Sequence, residues 1–395
     1  MHKTEGLVRS DILIVGGGLA GAAAAAVLGR TGLDVSLVDR HAVYPPDFRA
    51  EQLVGDQTDM LRRLGLLDGI VGNIRPLPNA AAACYGKTLE TTDSPHYGLR
   101  YDGIVNAARS MASRATFLTG RVARIEAGQD AQRVHLADGR TLEARLAVLA
   151  TGPNCDDLLA SAGIRRKMLS ANHSLAFGFD VSASFRSIVA YQGEQAGDGM
   201  DYLVFFPIGD TMRANLFCYR DPRDAWVKSF KEDPERALMD VMPGLEPSIG
   251  PFTVIGKVQV RPNSILRAEN AQDCDGIVLI GDAYQSPCPS VGFGVGRALT
   301  DVEALSRLVP AWLSSPGMGT DKISQFYQDP AKRAMDVKAL RDAMYRHALC
   351  TETSFAWRAH RARVYYTRRG KRVLRQAIRR EAPQLDDRFL ETTVG

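Results

Sequence analysis

The sequence predicts an α/β protein: a parallel, helix-covered sheet interrupted by a second, mostly antiparallel β-sheet domain and closed by a helical C-terminus. Three observations carry that reading. A short apolar run, Asp11–Val15, passes through Gly16–Gly18 into an alanine-rich stretch and then a second apolar run, Asp34–Val38. The hydrophobic period changes to two near residue 120 and returns to two through much of residues 170–262. At Gly276–Gly281 the apolar parallel-strand pattern resumes, and helices follow to the end.

Asp11–Val15 is apolar on both faces, as a strand covered on two sides must be. Leu19–Arg30 is rich in alanine, the best helix former, and Gly32 ends that helix. Right-handed crossover then makes the strands Asp11–Val15 and Asp34–Val38 parallel. Ala80–Tyr85 and Thr88–Thr91 read as a hairpin about Gly86-Lys87. Arg121–Glu126 and Gln132–Leu136 alternate as antiparallel strands, Asp138-Gly139 is a hairpin turn, and Thr141–Ala150 is an apolar strand ending at Thr151-Gly152. Further strands are expected at Leu175–Val181, Ser187–Tyr191, Tyr202–Pro207, Arg213–Tyr219 and Thr253–Val260, with a helical patch at Pro222–Met242. After Gly281 a loop leads into a helix running to about Leu308.

Composition excludes several classes. The chain has 395 residues, 45% hydrophobic and 24% charged, which is ordinary for a globular protein. No apolar run reaches the ~18–20 residues of a membrane span. Met1–Ser10 lacks the order of a secretory signal, so a cytoplasmic location is expected. The six cysteines, Cys84, Cys155, Cys218, Cys274, Cys288 and Cys350, are scattered without metal-ligand spacing or a disulfide pattern. The net charge is +4, yet Arg358–Arg380 alone holds ten Lys or Arg and no acid, so the remainder is net negative by six. That stretch matches no nucleic-acid motif. Its Trp357, Val364, Tyr365, Val373, Leu374 and Ile378 read as the packed side of helices with a solvated basic face, and attraction of an anionic cofactor or an acidic partner is the alternative.

Two motifs carry chemistry. In Gly16-x-Gly18-x-x-Gly21, lying between strand and helix, Gly16 permits the tight turn, Gly18 lets backbone approach a pyrophosphate, and Gly21 lets helix and strand pack closely. The helix N-terminus holds phosphate charge. Asp39 ends the next strand, eighteen residues past Gly21, where a carboxylate binds an adenosine ribose. This Rossmann-like loop does not separate FAD from NAD. The segment Leu279–Leu305 does. A strand ends at Gly281, Asp282 can accept from ribityl hydroxyls, and after Pro289 the glycines of Gly292-x-Gly294 open a helix whose N–H groups and dipole can face a flavin pyrimidine ring.

With these spacings, and with Phe48-Arg49-Ala50-Glu51 leading into a helix that ends Leu64-Gly65-Leu66, the chain resembles the class A flavoprotein monooxygenases, the para-hydroxybenzoate hydroxylase-like group. The resemblance covers about residues 8–160 and 265–310, and the β insert in general form. It implies a Rossmann-like FAD-binding domain from residues 1–75, 98–168 and 264–345, a β-sheet substrate domain from 76–97 and 169–263, and a C-terminal basic helical segment, 346–395. It also implies FAD contacts from Arg49 and Arg100. Leu19, Ala20, Arg40, Val122, Thr151, Gly152 and Phe293 complete the expected cofactor lining. There are departures. The family's mid-chain Asp-Gly reads Thr151-Gly152, Tyr284 and Gln285 stand where a histidine is usual, and Gly296 replaces an asparagine.

The reaction the resemblance implies is reduction of FAD by NAD(P)H, formation of a C4a-hydroperoxyflavin with O2, and hydroxylation of an aromatic or other unsaturated small molecule. Pro289 is expected near the reacting face, with its carbonyl available to a substrate hydroxyl. Phe205, Phe206 and Pro207 are candidate pocket residues, and Tyr202, Arg213 and Tyr219 are candidate polar groups for activating a phenol or binding a carboxylate, so that Pro289, Tyr202 and Arg213 are the expected catalytic residues. Alternation places Tyr202, Val204 and Phe206 on one face and Leu203, Phe205 and Pro207 on the other, without saying which meets the flavin. Cys288 beside Pro289, lacking a base, reads as filler. A flavin dehydrogenase or double-bond reductase on the same fold is the alternative function, and a non-catalytic FAD-binding redox protein a further one. A flavin halogenase finds no Trp-x-Trp among Trp226, Trp312 and Trp357. The expected partners are the substrate and NAD(P)H, with no nucleic acid and no membrane span, in a monomer or homodimer.

Overall fold

The computed structural model describes residues 8–49, 52–77, 80–92, 95–185, 187–208 and 211–381. Met1–Leu7, at the start of the segment read as lacking a signal, and Ala50 and Glu51 of the arginine segment lie outside the described residues.

Among the described residues, seven strands form the first sheet. Val8–Val15 lies between Val35–Asp39 and Thr141–Leu149, parallel to both. Ile277–Leu279 joins the far side of Thr141–Leu149, also in parallel, and Thr116–Thr119 extends the opposite edge. The expected meander is present: Gln132–Leu136 runs antiparallel to Val122–Glu126 on one side and, through the Asp138-Gly139 turn, to Thr141–Leu149 on the other. The helices Leu19–Leu28, Tyr101–Met111 and Gly294–Leu313 cover the parallel strands, whose Ile12, Leu13, Ile14, Val148 and Val278 are wholly buried. Alanine at positions 22–26 lets the first helix sit close to the sheet, and each of those side chains is buried.

The second large sheet orders its strands Phe252–Ala268, Arg166–Ala183, Thr211–Cys218, Met200–Ile208, Ile188–Gln192, Ala80–Cys84 and Lys87–Thr92. Its first two strands are longer than their alternation indicates. Arg166–Ala183 contains register shifts between Met168 and Ser174 and again near Gly178, and Asn172 adopts a left-handed φ of 44°. Each such bulge shifts the inward-outward pattern by a residue, which hides a continuous strand from a period-two reading. Gln52–Val54, Ile74–Leu77 and His96–Leu99 make a separate three-stranded sheet.

The helical patch is two helices, Ala225–Glu232 and Pro234–Val241, divided at Asp233, whose carboxylate caps the second by accepting from Arg236 N. Both pack on one face of the large antiparallel sheet, where Phe177, Phe179, Leu203, Phe205, Phe230 and Leu238 form a core. That placement settles which face looks toward the parallel sheet. It is the one bearing Tyr202, Val204 and Phe206, with Ala176, Ile188 and Phe217. The basic C-terminal stretch is one helix, Phe355–Glu381.

Candidate active site

The ends of three neighbouring parallel strands build the site. Val15 pairs with Leu149, and Leu149 with Leu279, so the chain leaves all three strands at one level. Their continuations, Gly16–Gly18, Ala150–Gly152 and Gly281–Asp282, therefore line one crevice at the carboxyl edge of the sheet, where open α/β sheets take ligands.

The glycines serve distinct purposes. Gly16 has φ of 100°, and a Cβ there would stand 2.6 Å from Ala150 O. A Cβ at Gly21 would meet Gly16 O at 1.8 Å, so any side chain would push the helix off the turn. At Gly18 a Cβ would find nothing within 4 Å, leaving the backbone open to a ligand at the start of the Leu19–Leu28 helix. Asp39 accepts from Gly17 N at 2.7 Å and from His41 N at 2.8 Å. Arg109, from the helix Tyr101–Met111, stands 3.2 Å from Asp39 and donates to Gly17 O at 2.6 Å and His41 O at 2.7 Å. Arg109 carries no local sequence signal: nothing in its helix distinguishes it from a surface arginine.

The flavin-side loop lies against the first. A Cβ at Gly281 would sit 3.4 Å from Ala20 Cβ. Arg49 reaches Asp282 at 3.5 Å while donating to Asp47 at 2.7 Å. Its charge also lies 6.0 Å from the centre of the Tyr101 ring, and burial pushes the Tyr101 hydroxyl up to about 12.

Beneath this loop is a buried ionic network. Asp301 accepts from Gly281 N at 2.7 Å and from Lys332 Nζ at 2.9 Å. Lys332 also donates to Asp336 at 3.1 Å, and Arg297 joins Asp336 at 3.0 Å and Gln285 O at 2.6 Å. Lys332 and Arg297 are fully buried. Burial alone would pull the Lys332 ammonium down, but Asp301 and Asp336 outweigh it and hold it above its ordinary value. Its Nζ also lies 4.1 Å from the Tyr284 ring centre. Tyr284 and Gln285, the departures at this loop, thus stand on a lysine and an arginine.

On its other side the loop is held by the antiparallel sheet. Tyr202 OH donates to Ser290 O at 2.9 Å, and Tyr219 OH lies 3.1 Å from Ser290 Oγ while donating to Asp201 at 2.8 Å. Arg346, from the helix Pro330–Thr351, pairs with Asp201 and stacks 5.0 Å from the Tyr202 ring centre. His173, buried beside Tyr219 and His347, is driven down to about 4 by burial first and the neighbouring His347 second. Cys288 is buried with its sulfur 3.4 Å from Ser174 Oγ and 3.3 Å from Ser290 Oγ, and burial raises its thiol pKa, so it is packed rather than activated.

The wall facing the crevice is divided. Strand register aligns Asp180, Arg213, Phe206 and Ile188 in one row, and Gly178, Asn215, Val204 and Ala190 in the next. Arg213 bonds Asp180 at 2.7 Å, and Arg261 bonds Asp47 at 2.6 Å. The Phe48 ring lies between these arginines, 5.7 Å from each, in space that a Cβ at Gly178 would occupy. The wall is thus apolar toward Ile188 and Phe206, while its two cations are already paired.

The structure brings together Gly16, Gly18, Leu19, Ala20, Gly21, Asp39, Arg49, Thr151, Gly152, Gly281 and Asp282 in this crevice and its rim. Pro289 opens a turn closed by Gly292 at φ of 70°, and Phe293 and Gly294 start the following helix. Val122 begins its strand just past Gly120, whose N–H donates to Asp39 O. Arg40 is exposed, and Arg100, 65% exposed, lies beside Asp102. The reading of Phe205 as a pocket residue is corrected: it is wholly buried on the opposite sheet face, against Phe185 and Phe252.

The residues present fit FAD. Gly18 leaves a cradle, Thr151 Oγ1 is a buried polar atom without a partner, and Arg49 and Asp282 present opposite charges at the rim. The comparisons with known proteins agree. A family model described as "FAD binding domain" matches residues 9–334. Squalene epoxidase erg1 of Schizosaccharomyces pombe is 22% identical over 321 residues, covering 76% of this chain and 69% of that protein. Among solved structures, p-nitrophenol 4-monooxygenase PnpA from Pseudomonas putida DLL-E4 superposes with a TM-score of 0.74 at 16% identity, covering 94% of this chain and 97% of its own. Halogenase PltM, solved with phloroglucinol and FAD, superposes with a TM-score of 0.66 at 15% identity, covering 80% and 72%.

Proposed function

The chain belongs to the FAD-binding-domain family and is an FAD-dependent oxidoreductase, and from that premise we propose that it is a monooxygenase using NAD(P)H and O2 to oxygenate an uncharged, largely apolar small molecule, aromatic or otherwise unsaturated. When bound, FAD supplies acceptance of hydride from NAD(P)H and activation of O2. The protein's part is binding, orientation and exclusion of water. Gly16–Gly21 and the helix behind them receive the pyrophosphate, Asp39 the adenosine ribose, and Asp282 with Arg49 the ribityl side. The N–H groups at the start of the helix that opens at Gly294 would favour negative charge on the bound flavin.

The observation that carries the substrate class is the divided wall. Ile188, Val204, Phe206 and Phe217 offer apolar contact, whereas Arg213 and Arg261 are bound to Asp180 and Asp47. A carboxylate substrate would have to displace one of those pairs, at a desolvation cost; an uncharged one would not. Pro289, Tyr202 and Arg213, expected to act in catalysis, take different parts in this reading. Tyr202 positions the loop through Ser290 O, Arg213 orders the wall through Asp180 and Phe48, and the Pro289 segment sets the floor of the pocket.

A second reading, a double-bond reductase, rests on Thr151 standing where the resembling family has aspartate. One experiment separates them. The purified yellow protein is reduced anaerobically with NADPH or NADH in the presence of apolar aromatic and alkene compounds, and each accelerating compound is then turned over under 18O2. Incorporation of one labelled oxygen into product is expected. Product saturated without label would establish the reductase, and acceleration confined to carboxylates would overturn the substrate class.

A further inference from the structure

We propose that the helix Phe355–Glu381 is a docking surface for an anionic lipid bilayer, on which the protein lies without crossing it. One side of this helix is fastened to the protein. Tyr365 packs edge-on against Tyr85, Arg372 donates to Thr88 O, and Arg361 donates to Leu349 O at 2.7 Å and Glu352 O at 2.8 Å. The opposite side faces outward and is apolar where a solvated helix would be polar. Phe355, Ala359, Ala362, Tyr366, Gly370 and Val373 follow one another in steps of four or three residues, so they form a single line along the helix. Phe355 is 80% exposed, Tyr366 69% and Val373 59%, with Leu374 beside them at 62%. The expectation that Val373 and Leu374 lie on the packed side is thus reversed, and they face out.

Charge selects the occupant. Arg358, Arg363 and Lys371 are exposed on the flanks of this line, and the stretch Arg358–Arg380 contains ten cations and no acid. A second copy of the same helix would bring like charge against like, which opposes pairing. An apolar line bordered by arginine and lysine matches instead the layered chemistry of a bilayer surface, with acyl chains meeting Phe355, Tyr366 and Val373 while the cations reach lipid phosphates. No described helix is long and apolar enough to cross a membrane, so the contact is confined to the surface plane.

The test is flotation of the full FAD-loaded chain with vesicles. Phosphatidylserine mixed into phosphatidylcholine should carry the protein upward at low ionic strength, phosphatidylcholine alone should not, and salt should release it. The triple variant Phe355→Ser, Tyr366→Ser, Val373→Ser should bind at least about tenfold less. Arg358→Gln should bind about fivefold less. Both should keep the flavin spectrum and unfolding midpoint of the parent, because these side chains face away from the fold. Absence of flotation with phosphatidylserine, or flotation undiminished in the triple variant, overturns the proposal. So does a parent dimer in sedimentation velocity that the triple variant converts to monomer, since the line would then join two copies.

Discussion

The two loops that close on the crevice at the carboxyl edge of the parallel sheet are built on different principles. The N-terminal loop is shaped first by what it lacks, since a Cβ at Gly21 would collide with Gly16 O and a Cβ at Gly16 with Ala150 O, and Asp39 and Arg109 tie it only at Gly17. The flavin-side loop is held by side chains from elsewhere. Asp301 and Arg297 grip it from below, Lys332 and Asp336 brace them from the helix Pro330–Thr351, and Tyr202 and Tyr219 grip Ser290 from another sheet. A backbone turn made of glycines needs few distant partners. A loop without such a glycine lock needs supports from elsewhere, and these are locked by burial.

The sharpest way to break the comparison is to remove the lysine under the second loop. Lys332→Met leaves Asp301 and Asp336 buried with Arg297 as their remaining cation and should cost about 3–5 kcal/mol in urea unfolding. It should also release FAD from the purified protein. An unfolding curve like the parent's would mean that the network does not brace the loop.

The upper grip should be sensitive to acid. The folded pKa of His173 lies near 4, below the ordinary value of about 6.5. Between those values the unfolded chain binds more protons than the folded one, so stability is full above about 6.5 and is lost as pH falls toward 4. The loss expected is about 2–3 kcal/mol across that window. Replacing His173 with Gln should flatten the slope measured by urea titration at stepped pH; an unchanged slope would assign it to other groups.

Gly21→Ala tests the first loop. The added methyl should cost about 1–3 kcal/mol through displacement of backbone and lower FAD retention, whereas Gly18→Ala, whose Cβ has open space around it, should spare folding and weaken only FAD binding. Equal effects on unfolding would contradict the division of roles. The smallest effect is expected from Tyr202→Phe, which removes one hydrogen bond to Ser290 O, about 1 kcal/mol in stability. A change in the rate of flavin reduction far larger than that would return Tyr202 to direct catalysis.

The N-terminal loop was legible because its signals are local. Gly16, Gly18, Gly21 and Asp39 lie within one strand-helix-strand unit, and the geometry they need is written in which residues lack side chains. Gly281, Asp282 and the glycines after Pro289 were legible for the same reason. The lengths of Arg166–Ala183 and Phe252–Ala268 were not, because bulges break the alternation on which the reading depends. Val373 and Leu374 face outward against expectation, because an amphipathic pattern reveals that a helix has two faces, not which one the protein covers.

What the amino-acid order determined by itself is therefore the α/β class, the two glycine loops at the strand ends and the presence of an inserted sheet, each encoded within a few tens of residues. Only the tertiary structure decided that Arg109 holds Asp39, that Lys332 and Asp301 meet across separate helices, and that Phe206 rather than Phe205 faces the crevice. The reason is physical. Backbone turns and periodicities are set by neighbours along the chain, whereas the partner of a buried charge and the side a sheet turns inward are set by packing between elements far apart in sequence.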